Sequence, residues 1–382
     1  MNQQVTIRPA TETDRQALQA LWDYCFRDGE TFESWYFSQY YRKEECLIAT
    51  VGKEIAASLQ IIDLPTRVGS KTVPAGYIVG VDCLPEYRGQ GLTRQLMQAA
   101  LSDYAPAHGL KLMHLMPFEA DFYESYGFVF SDYHFDMDLD IAEFYRAEDR
   151  VSARAHHWQL VQPEAIAQKL PELEALYVRA TARYDICAER RGLRRWRALV
   201  DDLAMEGGQL RLLYDDADET VGLLASVVKD GAFFVREALT CTAQAQQALY
   251  YFIAAHRSQV KRVEWSAPED ERIAFWRKKD KSGVQYRPFM MSLILEPDIV
   301  PLFAGKLPEE DLRFAVEGHG VYLWRAGSRV LEPAPEEAGL SRFTLAELSQ
   351  LVFARGGLVS CKHPRMAALF TIKATCFNNE YF

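Results

Sequence analysis

The stretch Arg88-Gly89-Gln90-Gly91-Leu92-Thr93 (RGQGLT) joins two segments of different periodicity. Residues 75–83 are largely apolar and predict a buried strand, whereas residues 92–105 place apolar side chains at helical spacing. Glycines at such a junction let the backbone approach a ligand and turn its N–H groups toward one point. The first turn of the helix adds unpaired N–H groups and the positive end of its dipole. The stretch therefore predicts a phosphate or pyrophosphate site, to which Arg88 can add charge.

The segments around this stretch have the periodicity of strands and helices. In chain order they are a strand at 5–8, a helix carrying Leu18, Leu21 and Trp22, a hairpin of strands at 47–50 and 55–62, the strand 75–83, the helix 92–105, a strand at 110–116, a short helix at 119–125 and a strand from Phe128. This order predicts a mixed α/β fold in which helices cover a mixed sheet.

The rest of the chain repeats this mixture. A charged segment at 143–157 marks a first boundary. Beyond it, the predicted elements are a helical stretch at 171–205, strands at 209–214, 221–229 and 232–239, a helix at 243–256, strands at 260–265, 312–316 and 321–325, and a helix from Thr344. A third region opens at Pro288, so we expect three domains, at residues 1–150, 151–287 and 288–382.

The composition is that of an ordinary soluble globular protein, with 49% hydrophobic and 25% charged residues among 382. The longest apolar runs, such as Met290–Leu295, are far shorter than the ~20 residues of a membrane-spanning helix. The first residues lack the basic region and apolar core of a signal peptide. We therefore expect no membrane span and a cytoplasmic location.

The net charge of −10 argues against nucleic acid as a partner, because a phosphate backbone requires a basic surface. It is compatible with a cationic substrate, although a role in solubility alone is the more common reason for such a charge. The seven cysteines are scattered without a Cys-x-x-Cys pair, and His156 and His157 are adjacent, so their donors diverge. These patterns predict reduced thiols and no metal site.

Two motifs together resemble the GNAT superfamily of N-acetyltransferases. The stretch at 88–93 resembles the family's acyl-coenzyme A loop, Gln/Arg-x-x-Gly-x-Gly/Ala, although Thr93 occupies the last position. The segment Phe122-Tyr123-Glu124-Ser125-Tyr126-Gly127-Phe128 resembles the family's Tyr-x-x-x-Gly-Phe motif. Without this context, a Gly-x-Gly turn is more often a plain connection between a strand and a helix. The resemblance implies acetyl-CoA as co-substrate, and Tyr123 as the acid that protonates the leaving thiolate.

The resemblance also implies a set of residues along the cofactor. The backbone at the end of the strand would hold the pantetheine arm and polarise the thioester carbonyl, and the loop would take the pyrophosphate. The residues so assigned are Val81, Asp82, Cys83, Arg88, Gly89, Gln90, Gly91, Leu92, Thr93, Arg94, Phe118 and Glu119. Apolar residues such as Val81 and Cys83 are also what any buried strand would carry.

The whole chain resembles the enhanced intracellular survival (Eis) type of acetyltransferase. That type combines an acetyltransferase domain, a degenerate acetyltransferase-like domain and a domain similar to sterol carrier proteins. It uses the carboxylate of the last residue as general base, which here implies the carboxylate of Phe382 in the ending Glu380-Tyr381-Phe382. The alternative is that Tyr381 and Phe382 only pack into the core of the last domain.

The resemblance implies primary amines of bulky cations as acceptors, namely aminoglycosides, polyamines or lysine side chains, and a homo-oligomer that is hexameric. Asp28, Trp35 and Glu380 are the candidate acceptor-binding residues, because carboxylates and aromatic faces attract cations. The alternative function is a lipid- or hydrophobe-binding carrier with a vestigial acetyltransferase region. The intact Arg88, Gly91 and Tyr123 argue against that alternative. Transfer of a longer acyl group stays open.

Overall fold

The computed structural model describes residues 4–271, 273, 283–354, 364–370 and 375–379. The strands are β1 Val5–Pro9, β2 Cys46–Val51, β3 Glu54–Asp63, β4 Thr66–Val68, β5 Lys71–Val73, β6 Ala75–Cys83, β7 Leu112–Leu115, β8 Val129–Asp140, β9 His157–Val161, β10 Ile186–Ala188, β11 Gln209–Tyr214, β12 Thr220–Lys229, β13 Ala232–Thr240, β14 Arg262–Pro268, β15 Val284–Ile294, β16 Leu312–Val316, β17 Gly320–Trp324, β18 Leu331–Pro333, β19 Ser341–Phe343 and β20 Cys376–Phe377.

The α-helices are α1 Arg15–Phe26, α2 Glu30–Trp35, α3 Leu92–Ala99, α4 Ala105–Ala107, α5 Ala120–Glu124, α6 Asp149–Arg154, α7 Ile166–Thr181, α8 Gly192–Met205, α9 Ala243–Ala255, α10 Leu345–Phe353 and α11 Pro364–Ala367. A π-helical turn at Ala100–Tyr104 joins α3 to α4, so the predicted helix at 92–105 is continuous through residue 107. In the part of the chain that the structure describes, no helix is long and apolar enough to cross a bilayer.

The predicted mixed α/β fold is confirmed, and most predicted elements are present within a few residues of their expected bounds. One prediction was wrong: the helical stretch at 171–205 is two helices, α7 and α8, with β10 between them. β10 is a short, fully buried strand that pairs with β4, more than a hundred residues earlier in the chain. Its conformation depends on this distant partner, which the local periodicity does not contain.

The chain divides into two compact units. The first unit consists of residues 1–132, 184–189 and 289–382, and the second of residues 133–183 and 190–288. The division into domains at 1–150, 151–287 and 288–382 stays a prediction. We describe the units one at a time.

The first unit contains strands β1, β2, β3, β6, β7 and the end of β15 side by side in that order. β6 and β7 are parallel, and β15 pairs antiparallel with β7 through Met291–Ile294. Helix α3 packs on one face of this sheet, where its buried residues Leu96 and Met97 share a core with Leu59 of β3, while α1 packs against β3 and β6. The apolar face that the sequence predicted for α1 is confirmed, since Leu18, Leu21 and Trp22 are buried.

Two smaller sheets belong to the same unit. One has the order β20-β10-β4-β5 and the other β18-β17-β16-β19. The second sheet and α10 share a core that includes Phe314, Trp324 and Phe343. Helix α10 begins with a capping box, in which Thr344 and Glu347 satisfy each other's backbone N–H groups. This cap explains why the helix starts where the sequence predicted.

The second unit is a sheet of β8, β14, β13, β12, β11 and β9 in that order, with β8 contributing through His134–Asp140. Helix α9 covers it with an apolar core that includes Tyr250 and Ile253. A buried ion pair joins Arg190 Nη1 to Glu237 Oε1 at 2.8 Å. Two parallel hydrogen bonds link the guanidinium and the carboxylate, so each buried charge is balanced by its partner.

Gly80 is the residue at which β6 bends, and we expect its replacement to be costly. Its φ is +58°, and a Cβ there would lie 2.3 Å from the Cζ3 atom of Trp22. Gly80→Ala is therefore expected to lower the free energy of unfolding by about 3 kcal/mol, combining the left-handed backbone with overpacking. Gly69→Ala is the matched control, because Gly69 also has a φ of +58° but no atom within 4 Å of its would-be Cβ. It should cost about 1 kcal/mol, and equal losses for the two variants in urea unfolding would contradict the role of Trp22.

Candidate active site

The sheet of the first unit opens between β6 and β7. Their parallel pairing runs from Ala75–Leu112 to Ile78–Leu115 and stops there, whereas β6 continues to Cys83 with β3 as its partner. The positive φ of Gly80 and a register shift opposite Ser58 and Gln60 mark this bend. The edge of β6 that faces away from β3 is therefore open, and its backbone amide and carbonyl groups can pair with the amides of a ligand.

The glycine-bearing loop follows directly on this open edge. Gly89 and Gly91 have φ values of +74° and +77°, and a Cβ on either would meet no atom within 4 Å, so the loop faces open space. Gly91 is the N-cap of α3 without a side-chain cap. Among the described residues, no group accepts a hydrogen bond from the backbone N–H groups of the first turn, Leu92 to Arg94. These N–H groups and the helix dipole form a site for an anion.

The open edge and the loop share a cavity of about 790 Å³. It is lined by residues of α1, the end of β6, the loop, and α5 with the segment that leads into it. These are Cys25, Phe26, Val81, Asp82, Cys83, Tyr87, Arg88, Gly89, Gly91, Leu92, Thr93, Phe118, Glu119, Phe122 and Tyr123. The two motifs that the sequence singled out therefore meet in one place.

The side chain of Arg88 folds back onto the end of β6. Its Nε donates to the carbonyl oxygen of Cys83 at 3.1 Å, and the thiol of Cys25 donates to the same oxygen at 3.7 Å. The guanidinium thus holds the last carbonyl of β6 in place while its positive charge stays beside the loop. This arrangement fixes the end of the strand, whose backbone the sequence predicted to orient the thioester.

Tyr123 contributes a phenol to the cavity wall. It lies in α5, is 8% exposed, and packs against Phe122 and Phe128. Burial raises the pKa of its hydroxyl to about 12, so the group keeps its proton at neutral pH. Gly127 has a φ of +93°, and a Cβ there would lie 2.8 Å from Ala346, which explains the glycine of this motif. The phenol can therefore serve as a proton donor.

Asp82 is a buried carboxyl group of the site. It is 3% exposed, and its Oδ1 accepts hydrogen bonds from the backbone N–H and the hydroxyl of Ser58, at 2.6 and 2.9 Å. Burial raises the pKa of the Asp82 carboxyl to about 7, although the hydrogen bonds from Ser58 act in the opposite direction. Asp82 therefore changes its charge near neutral pH.

The comparisons with known proteins agree with this geometry. A family model described as an acetyltransferase (GNAT) domain matches residues 6–130, and a second model with the same description matches residues 188–295. This chain is a GNAT N-acetyltransferase. Its first GNAT match ends just after the Tyr123 motif and covers the whole cavity wall, and the fold binds acetyl-CoA or a similar acyl-CoA.

Several solved structures share the fold of this acetyltransferase over its full length. A GCN5-related N-acetyltransferase from Anabaena variabilis has a TM-score of 0.79 and 17% identity, covering 98% of this chain and 99% of its own. One from Kribbella flavida has a TM-score of 0.77 and 16% identity, covering 100% and 99%. Eis1 from Mycobacterium abscessus has a TM-score of 0.74 and 13% identity, covering 99% and 100%. No curated protein sequence matches the chain.

Most of the residues that the sequence predicted to bind the cofactor lie together in the wall of the cavity. All of the predicted residues line the cavity except Gln90 and Arg94, which lie in the same loop and helix but not in its wall. Tyr87 and Phe122 also line the cavity and were not assigned. Their positions in the sequence could have indicated them, since Tyr87 directly precedes Arg88 of the first motif and Phe122 directly precedes Tyr123 of the second.

The candidate acceptor residues are placed differently. Asp28 accepts a hydrogen bond from the indole N–H of Trp22 at 2.9 Å, and Trp35 stacks on Tyr40, and neither lines the cavity. Their neighbours Cys25 and Phe26 do line it. Glu380 and Phe382, the candidate acceptor ligand and base, lie outside the described residues.

The fit of the cavity to an acyl-CoA can be tested at Phe118. Its side chain is 93% exposed in the cavity wall, an unusual position for a phenylalanine, and an acyl-CoA in the cavity would cover it. Phe118→Ala is expected to raise the Kd for acetyl-CoA about tenfold while leaving the melting temperature unchanged. Isothermal titration calorimetry measures the Kd, and Tyr24→Ala is a control because Tyr24 is exposed on α1 but outside the cavity. Equal affinities for the two variants would contradict this placement.

Proposed function

We propose that this acetyltransferase transfers the acetyl group of acetyl-CoA directly to a primary amine of a cationic acceptor, in a ternary complex. The observation that supports it is the convergence of the loop amides, the open edge of β6 and the phenol of Tyr123 in one cavity. When bound, the thioester supplies the activated acetyl group. The backbone at Val81 and Cys83 orients it, and Tyr123 protonates the departing thiolate.

The cationic nature of the acceptor is supported by the surface beside the cavity. Burial raises the pKa of the Glu33 carboxyl, and the neighbouring charges of Asp23 and Asp28 raise it further. The carboxylates of Asp23 on α1 and of Asp28, in the loop before α2, are therefore near each other, on a part of the chain that also carries the aromatic rings of Phe32 and Trp35. Such a surface attracts aminoglycosides, polyamines or lysine side chains by charge and by cation–π contact.

The base that accepts a proton from the attacking amine is, in this proposal, the terminal carboxylate of Phe382. Its support comes from the described residues just before it. Cys376 and Phe377 are buried, the ring of Phe377 stacks on Tyr184, and the side-chain amide of Asn378 donates to the sulfur of Met290 at 2.6 Å. The tail is therefore held in the same compact unit as the cavity up to residue 378.

The proposal extends to the Eis-type organisation. Residues 1–150 form the active acetyltransferase domain, residues 151–287 a degenerate one, and residues 288–382 a domain similar to sterol carrier proteins. The core that β16, β17, β18 and β19 share with α10 supports the last assignment. The same proposal includes a hexamer and a cytoplasmic location; light scattering after gel filtration tests the hexamer, and a monomer would contradict it.

A two-step experiment tests the proposed function. Calorimetry with acetyl-CoA is expected to show binding, and a thiol-release assay should then show turnover with spermidine, kanamycin or a lysine peptide. Absence of acetyl-CoA binding would contradict the acetyl donor, and binding without amine-dependent thiol release would contradict the acceptor class. Saturable binding of a fluorescent lipid without thiol release would favour the carrier alternative.

A further inference from the structure

Three ionisable acidic or basic side chains stand out in the described wall of the cavity, those of Asp82, Arg88 and Glu119. The carboxylate of Asp82 is closed off, because its Oδ1 accepts both hydrogen bonds from Ser58 and its Oδ2 is buried. Arg88 lies on the side of the glycine-bearing loop, where its Nε donates to the carbonyl oxygen of Cys83. Glu119 is exposed, so its carboxylate is the one in this wall that a ligand can reach.

The carboxylate of Glu119 has no partner within the described part of the chain. Its side chain accepts no hydrogen bond there, and it forms no ion pair with Arg88, although both residues line the same cavity. Glu119 is the N-cap residue of α5, a position from which a side-chain oxygen commonly accepts a hydrogen bond from the first turn of its helix, but it makes no such bond. The negative charge of Glu119 is therefore not neutralised by the protein residues that the structure describes.

The wall of the cavity is divided by charge. The N–H groups of the first turn of α3 and the guanidinium of Arg88 form an anion site at the loop, whereas Glu119 lies at the start of α5. A carboxylate repels the negatively charged diphosphate of acetyl-CoA and attracts a cationic acceptor. The two assignments of Glu119 are compatible, because its backbone can lie along the cofactor, as the sequence predicted, while its carboxylate binds the other substrate.

Glu119 is also close in the chain to the proposed proton donor. Tyr123 lies four residues further on in α5, which corresponds to about 6 Å along a helix axis, and it lines the same cavity. In the proposed function, the phenol of Tyr123 lies at the reacting end of the thioester. The nitrogen that attacks there must be neutral, so it offers no positive charge to a carboxylate at that moment. A charge that Glu119 recognises therefore belongs to another nitrogen of the acceptor.

We propose that the carboxylate of Glu119 binds a second, non-reacting ammonium group of the acceptor and thereby determines which amines this cavity accepts. The inference rests on the proposed function and adds to it an acceptor-binding residue within the cavity wall, where neither Asp28 nor Trp35 lies. An acceptor with two amino groups a few bonds apart places one at Tyr123 and the other at Glu119. A monoamine leaves Glu119 unpaired and gains nothing from it.

The test compares 1,4-diaminobutane with butylamine, which has the same carbon chain but one amino group, at saturating acetyl-CoA. The wild type is expected to have a kcat/KM about tenfold higher for the diamine, the effect of one charge-assisted hydrogen bond. Glu119→Gln keeps the size of the side chain and removes its charge. It should lower kcat/KM about tenfold for the diamine, through KM, and change it less than about twofold for butylamine.

Glu124→Gln is the matched control. Glu124 is a glutamate of the same short helix, is exposed and has no partner among the described residues, but it does not line the cavity. This variant should keep the preference of the wild type for the diamine. An equal change in the two variants would overturn the inference, and so would an equal loss for both amines in Glu119→Gln. A raised Kd for acetyl-CoA with an unchanged preference would assign the carboxylate to the cofactor and would also overturn it.

A second readout does not depend on transfer. Calorimetric titration of 1,4-diaminobutane into the protein saturated with CoA should give a Kd about tenfold higher for Glu119→Gln than for Glu124→Gln, and high salt should reduce this difference. Equal Kd values for the two variants would overturn the inference. If the wild type acetylates neither amine while the two Kd values still differ, the proposed function fails and the ammonium site at Glu119 stands.

Discussion

Replacing Tyr123 by phenylalanine is expected to lower kcat for acetyl transfer by about 100- to 1,000-fold, the usual contribution of a general acid. The variant removes one oxygen atom from the cavity wall and keeps the ring contacts with Phe122 and Phe128. The loss should be constant between pH 6 and 10, because the pKa of the hydroxyl is about 12 and the group stays protonated over that range. A stopped thiol-release assay with a fixed amine measures it.

Tyr126→Phe is the matched control for this prediction. Tyr126 lies three residues further on, belongs to the same motif and is not part of the cavity wall. It should keep kcat within about twofold, the range of a surface substitution. A similar loss in both variants would indicate a packing effect of the motif, and a Tyr123→Phe variant with wild-type kcat would remove the phenol from the mechanism.

Adding a single alanine after Phe382 is expected to reduce turnover to near the background rate, about 100-fold or more, while acetyl-CoA binds with an unchanged Kd. The addition moves the terminal carboxylate by one residue and leaves every side chain of the cavity in place. Cys376, Phe377 and Asn378 are buried, and Asn378 is hydrogen-bonded to Met290. These contacts limit how far the tail can shift to compensate. The assay is thiol release, and the Kd comes from calorimetry.

Phe382→Ala keeps the length of the chain and the position of the carboxylate, so it distinguishes the charge from the aromatic ring. This variant should retain most of the turnover that the lengthened chain loses. Wild-type turnover in the lengthened chain would exclude the terminal carboxylate as base. Equal losses in the two variants would instead assign the effect to packing of the ring.

The sequence by itself determined the local parts of this protein. The apolar run of β6, the glycines at positions 89 and 91 and the helical spacing of α3 are short-range patterns, and each produced the predicted element. The phenol of Tyr123 was also identified from a short segment, which resembles the GNAT Tyr-x-x-x-Gly-Phe motif with a glycine at a fixed distance. Gly127 fits this motif by its positive φ and its close approach to Ala346.

The tertiary structure alone decided which distant residues meet. Ser58 lies 24 residues from Asp82 in the chain and sets its hydrogen bonding, and β10 becomes a strand because β4 lies beside it. The buried state of Asp82, and with it a pKa near 7, follows from the packing of strands and helix around it. Burial and pairing are properties of the assembled chain, so no local pattern of residue types could have specified them.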